Sequence, residues 1–153
     1  MVDELQIRYI DALDSKDMGR WLAAFSEADD ASYSCQSAEN AAMGWPICLM
    51  LDDNRARLKD RVIFVTKIWQ GTFQDYRTRH FVQRLSVEKV SDTVCKARSN
   101  FTIEYTLDPH ETKMLVAGVY EDTIVIENGE ARFLEKRAVY DTNVLPQYIV
   151  YPF

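Results

Sequence analysis

The chain has 153 residues and a net charge of −6; 47% of it is hydrophobic, 12% aromatic and 27% charged. That length fits a single domain that buries a core without disulfide or metal staples, and five glycines and four prolines are too few for a disordered or linker-rich chain. The acidic balance argues against a nucleic-acid binder, which needs a basic surface to displace counterions.

The N-terminal run "MVDELQIRYIDALDSKD" is acidic and amphipathic and does not read as a signal peptide. Leu5, Tyr9, Ala12 and Leu13 fall at helical spacing. "DMGRWLAAF" repeats the pattern with Met18, Trp21, Leu22 and Phe25 on one face, and Asp17 is placed to cap it. "DDASYSCQ" alternates Tyr33 and Cys35 against Ser32 and Ser34, as a short strand does. Gly44 and Pro46 interrupt "AENAAMGWPICLMLDD", which reads as loop or irregular strand. Its apolar run is far too short to span a bilayer. A third helix is predicted over "DDNRARLKDRVIFVTKIW", with Leu58, Val62, Val65 and Trp69 on one face and Asp52 or Asp53 as its cap.

After Gly71 the period changes from helix to strand. "YRTRHFVQRLSVEKV" alternates imperfectly, with Arg77, Arg79 and Phe81 on one face and Thr78, His80 and Val82 on the other. "TVCKARSNFTIEYTL" is cleaner: Cys95, Ala97, Phe101, Ile103, Tyr105 and Leu107 face one way. "DPHE" turns the chain, and His110 at this turn reads as solvent-facing. "TKMLVAGVYEDTIVIE" is apolar enough on both faces for a central strand. Asn128-Gly129 signals a type I′ hairpin into "EARFLEKRAVYDT". The pattern predicts an α+β domain with helices first, then four or five consecutive antiparallel strands in a curved sheet packed on them.

The donor inventory excludes most redox and nucleotide chemistry. Two histidines, His80 and His110, are too few and too scattered for an iron triad, and no cysteine lies near a histidine as a Rieske centre requires. Cys35, Cys48 and Cys95 fit no zinc spacing and read as free thiols of a reducing compartment, which predicts a cytoplasmic protein. Neither a phosphate-binding glycine loop nor a nucleophile elbow is present. Acid–base chemistry stays open: His80, Tyr105, Asp122 or Asp141 could line a cavity under the sheet, or could simply make interior hydrogen bonds.

Arg77 and Arg79 beside Phe81 suit either a subunit interface or a solvated face, with Asp60-Arg61 and Glu121-Asp122 as possible acidic partners. The tail residues Tyr148, Ile149, Val150, Tyr151 and Phe153 must be buried, in the domain or against another chain. Trp45 presents the same choice.

"MLDDNRARLKDRV", "YRTRHFVQRLSVEKV", "ARSNFTIEYT" and "GVYEDTIVIENGEARFLEKRAVYDTNVL", in this order and spacing, resemble the β (small) subunits of aromatic-ring-hydroxylating oxygenases. The resemblance runs from about residue 5 to the C-terminus. "ENAAMGWPICLMLDD" is closest to the types acting on ring carboxylates, such as salicylate, anthranilate and terephthalate oxygenases. "RHFVQR" departs from the family pattern, in which many members carry Asn after "RH-hydrophobic-V-S"; this chain has Gln83 and Arg84 there. The resemblance implies the NTF2-like cone over residues 1–153, a curved antiparallel sheet on N-terminal helices. It implies a non-catalytic subunit of an α3β3 oxygenase, with the Rieske 2Fe-2S cluster and mononuclear Fe(II) on the partner α subunit. Electrons come from NAD(P)H through reductase and ferredoxin components. Trp45, Arg77, Arg79, His80, Arg84, Tyr148, Tyr151 and Phe153 are the subunit-interface candidates. The alternative is a stand-alone NTF2-like isomerase or dehydratase with a His80/Asp pocket.

Overall fold

The computed structural model describes residues 1–107 and 109–153. The predicted "DPHE" turn includes Asp108, which lies outside the described residues; His110 is exposed. Two helices open the chain: α1 (Val2–Asp14), then α2 (Met18–Ala23), where the Asp17 carboxylate accepts from the Arg20 amide at 2.9 Å as a cap. Leu5, Tyr9, Ala12, Leu13, Met18, Trp21 and Phe25 are all buried, as their helical spacing predicts.

The segment after β1 (Ser32–Ser37) differs from expectation. Ser37 caps a short helix, α3 (Ala38–Ala42), by accepting from the Asn40 amide, and Gly44 at φ 68° ends it in the left-handed region that glycine tolerates. A short strand, β2 (Met50–Asp52), follows. Helix α4 (Arg55–Ile63) is capped by Asn54, not by Asp52 or Asp53. Asp52 belongs to β2 and its carboxylate is taken by Arg61 through two bonds of 3.0 Å. Beyond Ile63 the helix widens to π pitch (Phe64–Ile68), with the Trp69 amide bonded to the Phe64 carbonyl. The wider turn takes Trp69 off the face shared by the buried Leu58 and Val65, so it lies half-exposed.

Strands β3 (Arg77–Lys89), β4 (Val94–Thr106), β5 (Lys113–Glu127) and β6 (Glu130–Tyr140) form the antiparallel meander that the alternation predicts. Asn128 at φ 52° and Gly129 at φ 82° make the tight β5–β6 turn. The sheet is larger than four or five strands, however. It has six, in the order β2-β1-β6-β5-β4-β3, and β1 lies parallel to β6. Strand β6 would otherwise be an open edge, and the Ser32–Ser37 strand satisfies its backbone groups.

The inner face of the sheet carries Ala97, Phe101, Ile103, Tyr120, Ile124, Phe133 and Ala138 onto α1 and α2, and register shifts at Arg84/Ser86, Ile103/Glu104 and Thr123/Ile124 accompany its curvature over them. Strand β3 follows the predicted alternation only as far as Val82; from Gln83 onward the residues of both faces are exposed. At Gly118 the chain comes too close to β6 for any side chain, since a Cβ there would sit 2.2 Å from the Val139 carbonyl oxygen and 2.8 Å from Tyr140 Cα. Gly118→Ala is expected to lower stability by about 3 kcal/mol, the upper end of overpacking costs, read as a lower urea midpoint at unchanged slope.

Candidate functional site

Curvature places His80 on the inner face of β3, facing the last residue of α1. His80 Nδ1 lies 2.6 Å from Asp14 Oδ1, the His80 amide donates to Asp14 Oδ2 at 3.1 Å, and the Thr78 hydroxyl donates to Oδ1 at 2.9 Å. The imidazole therefore has a carboxylate partner, but Asp14 is 66 positions away in sequence, and no linear spacing announced it. Burial alone would raise the Asp14 carboxyl. The His80 and Thr78 hydrogen bonds outweigh it and hold the group below its ordinary value of 3.8. The His80 side chain is only 2% exposed, and its Nε2 has no hydrogen-bond partner. The space beside it, lined by Thr78, Ile103, Tyr76 and Phe153, is about 10 Å³, room for one water at most.

The other acid–base candidates are not brought to His80 as a set. Tyr105 is buried and meets Tyr76 edge-on at 6.4 Å. Asp141 is exposed. Asp122 is buried, but it is paired with Lys136: Lys136 Nζ lies 3.2 Å from Asp122 Oδ1 and 3.3 Å from Gln6 Oε1, and Gln6 Nε2 donates to Asp122 Oδ2 at 2.5 Å. The ammonium also sits 3.6 Å from the Tyr120 ring centre, 4.3 Å from Phe133 and 4.4 Å from Tyr9. Burial pushes Lys136 down to about 8 and Asp122 upward, and each opposes the other's shift. Nothing in the sequence marked Lys136, which occupies an inward position of a strand where a lysine is unexpected.

The predicted interface residues divide between surface and core. Arg77, Arg79 and Trp45 are exposed, and Arg84 is exposed while forking Asp3 at 2.5 and 3.2 Å. Tyr148 is half-exposed and its hydroxyl accepts from the Gln74 amide. Tyr151 is partly buried beside Tyr76. Phe153 and His80 are interior: core burial, the other option for the tail, holds at Phe153, which is 1% exposed. Of the acidic partners considered for the arginines, Glu121 is engaged by Arg137 and Asp122 by Lys136, and Asp60 is exposed on α4. Around these arginines Phe81, Leu85 and Val87 are exposed along an edge strand of 13 residues, and Val90 is exposed just beyond its end.

The donors present do not fit an iron–sulfur cluster or an iron triad. Among the described residues no three His, Cys, Asp or Glu side chains converge, and the His80 ring is turned to Asp14. A curved sheet wrapped over N-terminal helices and filled by its own side chains is an NTF2-like cone. A family model described as the ring hydroxylating beta subunit matches residues 8–147. The anthranilate 1,2-dioxygenase small subunit of Burkholderia cepacia is 30% identical over 148 residues, 97% of this chain and 89% of that one. The terephthalate 1,2-dioxygenase terminal oxygenase component subunit beta 1 of a Comamonas species is 25% identical over 157 residues, 99% of each. The crystal structure of the β subunit of a proposed aromatic-ring-hydroxylating dioxygenase from Novosphingobium aromaticivorans matches with a TM-score of 0.81 at 26% identity, over 92% of this chain and 87% of that one. The chain belongs to the ring-hydroxylating β subunit family, which supports the subunit reading over the stand-alone isomerase or dehydratase alternative.

Two substitutions test the interior. Asp14→Asn is expected to cost about 1–3 kcal/mol at neutral pH. Because the folded Asp14 carboxyl titrates below 3.8, its contribution is present above that pH and disappears as pH falls through the folded value; the variant's acid unfolding should be correspondingly shallower in urea titrations at several pH values. Lys136→Met alone should cost about 3–5 kcal/mol by stranding Asp122, and Lys136→Met with Asp122→Leu should recover most of it.

Proposed function

We propose that this chain is the non-catalytic pedestal of a cytoplasmic α3β3 oxygenase: it trimerises and carries large subunits that hold the Rieske cluster and the mononuclear iron and hydroxylate a carboxylated aromatic ring. The uncovered β3 edge carries this reading. A 13-residue edge strand that exposes Phe81, Leu85 and Val87 beside Arg77 and Arg79 is a template for pairing unless another chain covers it. Trp45, Ile47 and Leu49, and Ile63, Phe64, Ile68 and Trp69, add further exposed apolar area. An obligate contact of this kind buries on the order of several thousand Å².

The carboxylated substrate class rests on the anthranilate and terephthalate dioxygenase relatives. Three free cysteines, Cys35, Cys48 and Cys95, support the reducing cytoplasm, and no helix among the described residues is long and apolar enough to cross a membrane. Reductase and ferredoxin components reach the small subunit only through the large one.

Co-expression with the large subunit tests the proposal. The complex should run as a hexamer in size exclusion with light scattering, and iron should follow the large subunit. The double variant Phe81→Glu/Leu85→Glu buries unpaired carboxylates in the contact, at a cost of several kcal/mol. It should release smaller species while the chain's own thermal midpoint stays within experimental scatter. Assembly indistinguishable from the parent, or stoichiometric iron in the isolated chain, overturns the proposal.

A further inference from the structure

The cone is closed by the chain's own end. After Tyr140 the backbone forms no helix or strand, and residues 150–153 run into the space between sheet and helices. Phe153 takes the centre. Its ring meets Tyr140 edge-on at 5.8 Å and Phe101 at 6.4 Å. Its amide donates to the Tyr33 hydroxyl at 2.9 Å, and its carbonyl accepts from the Tyr9 hydroxyl at 2.5 Å. The Val150 amide donates to the Tyr76 hydroxyl at 3.3 Å. Every one of these partners is a side chain of the cone wall, so the segment is held as a ligand would be, by an aromatic slot and three hydroxyls.

Two buried polar groups around this segment have no hydrogen-bond partner. One is His80 Nε2, beside the Phe153 ring. The other is Lys16 Nζ, held 3.8 Å above the Tyr151 ring and 4.7 Å from Tyr76, between two surface concavities of about 400 Å³ each. Buried polar groups are normally satisfied, so two such groups beside one irregular segment need an explanation. The wall is aromatic with convergent donors, the composition of a small-molecule site.

We propose that the cone is a binding site for a small aromatic carboxylate, filled in this structure by residues Val150–Phe153. With the segment withdrawn, a phenyl-sized ring takes the Phe153 slot between Phe101 and Tyr140. Its carboxylate takes the Tyr9 hydroxyl, already a donor to an oxygen at that point, and the Tyr33 hydroxyl, which rotates from acceptor to donor. His80 Nε2, unpartnered in the filled cone, faces the same slot while Asp14 holds Nδ1, and the Lys16 ammonium supplies charge at the mouth. The proposal concerns this chain alone and does not depend on a large subunit.

The test uses the full-length chain and its Phe153→Ala variant, with benzoate and toluene as probes, read by titration calorimetry and amide NMR shifts. Phe153→Ala should bind benzoate at least about tenfold more tightly than the parent does and more tightly than it binds toluene. Adding Tyr9→Phe should weaken benzoate about tenfold and leave toluene unchanged. Toluene binding without benzoate binding, or binding of neither, overturns the proposal. If Phe153→Ala does not fold, hydrogen exchange in the parent decides. The Val150 and Phe153 amides should exchange faster than those of β4 and β5, and benzoate should accelerate them. Exchange of these amides only with global unfolding, or unaffected by benzoate, overturns it.

Discussion

One ammonium group, inside a cage of three rings, joins the two layers of the molecule. Lys136 comes from β6, Asp122 and Tyr120 from β5, Phe133 from β6, and Gln6 and Tyr9 from α1. A charge of this kind is tolerated in the interior only while all its partners stay in place, so helix and sheet are held in a single register. A purely apolar seam would permit sliding, because hydrophobic burial has no direction. Tyr9 links this cluster to the other end of the core, since its hydroxyl holds the Phe153 carbonyl.

The local patterns were legible because they depend on neighbours in sequence. Met18, Trp21 and Phe25 announced α2, Asn128-Gly129 announced the hairpin, and the alternation from Cys95 to Tyr105 announced β4 and its buried face. What escaped was set by distant contacts. The parallel partner of β6, the carboxylate that meets His80 and the cage around Lys136 each join residues more than sixty positions apart, and no periodicity encodes them. The α4 cap was missed for a related reason: Asp52 looks like a cap until the sheet claims it for β2 and Arg61. The π turn is invisible to a period-based reading, since it changes the period itself. For the candidate site, the alternation told which face of β3 each residue takes, yet not that Phe153 would close over His80.

Inside and outside are consequently used for different ends. The interior is occupied by aromatic rings, the Lys136–Asp122 ion pair, the His80–Asp14 hydrogen bond and the terminal segment, with room for one water at most beside His80. The outside leaves an edge strand and several apolar side chains uncovered. A domain arranged in this way contributes surface to a larger particle, in keeping with its family.

The parallel β1–β6 pairing also governs how the molecule is made. Gln36 and Arg137, 101 positions apart, face each other across it, and Phe153 docks on Tyr33. On the ribosome, the first strand emerges long before the strand it needs, and the apolar faces of β4 and β5 wait beside it. Closing so distant a pair carries a loop-entropy cost that slows the search. The completed sheet is therefore a late event of synthesis, and until β6 has emerged β1 has no parallel partner.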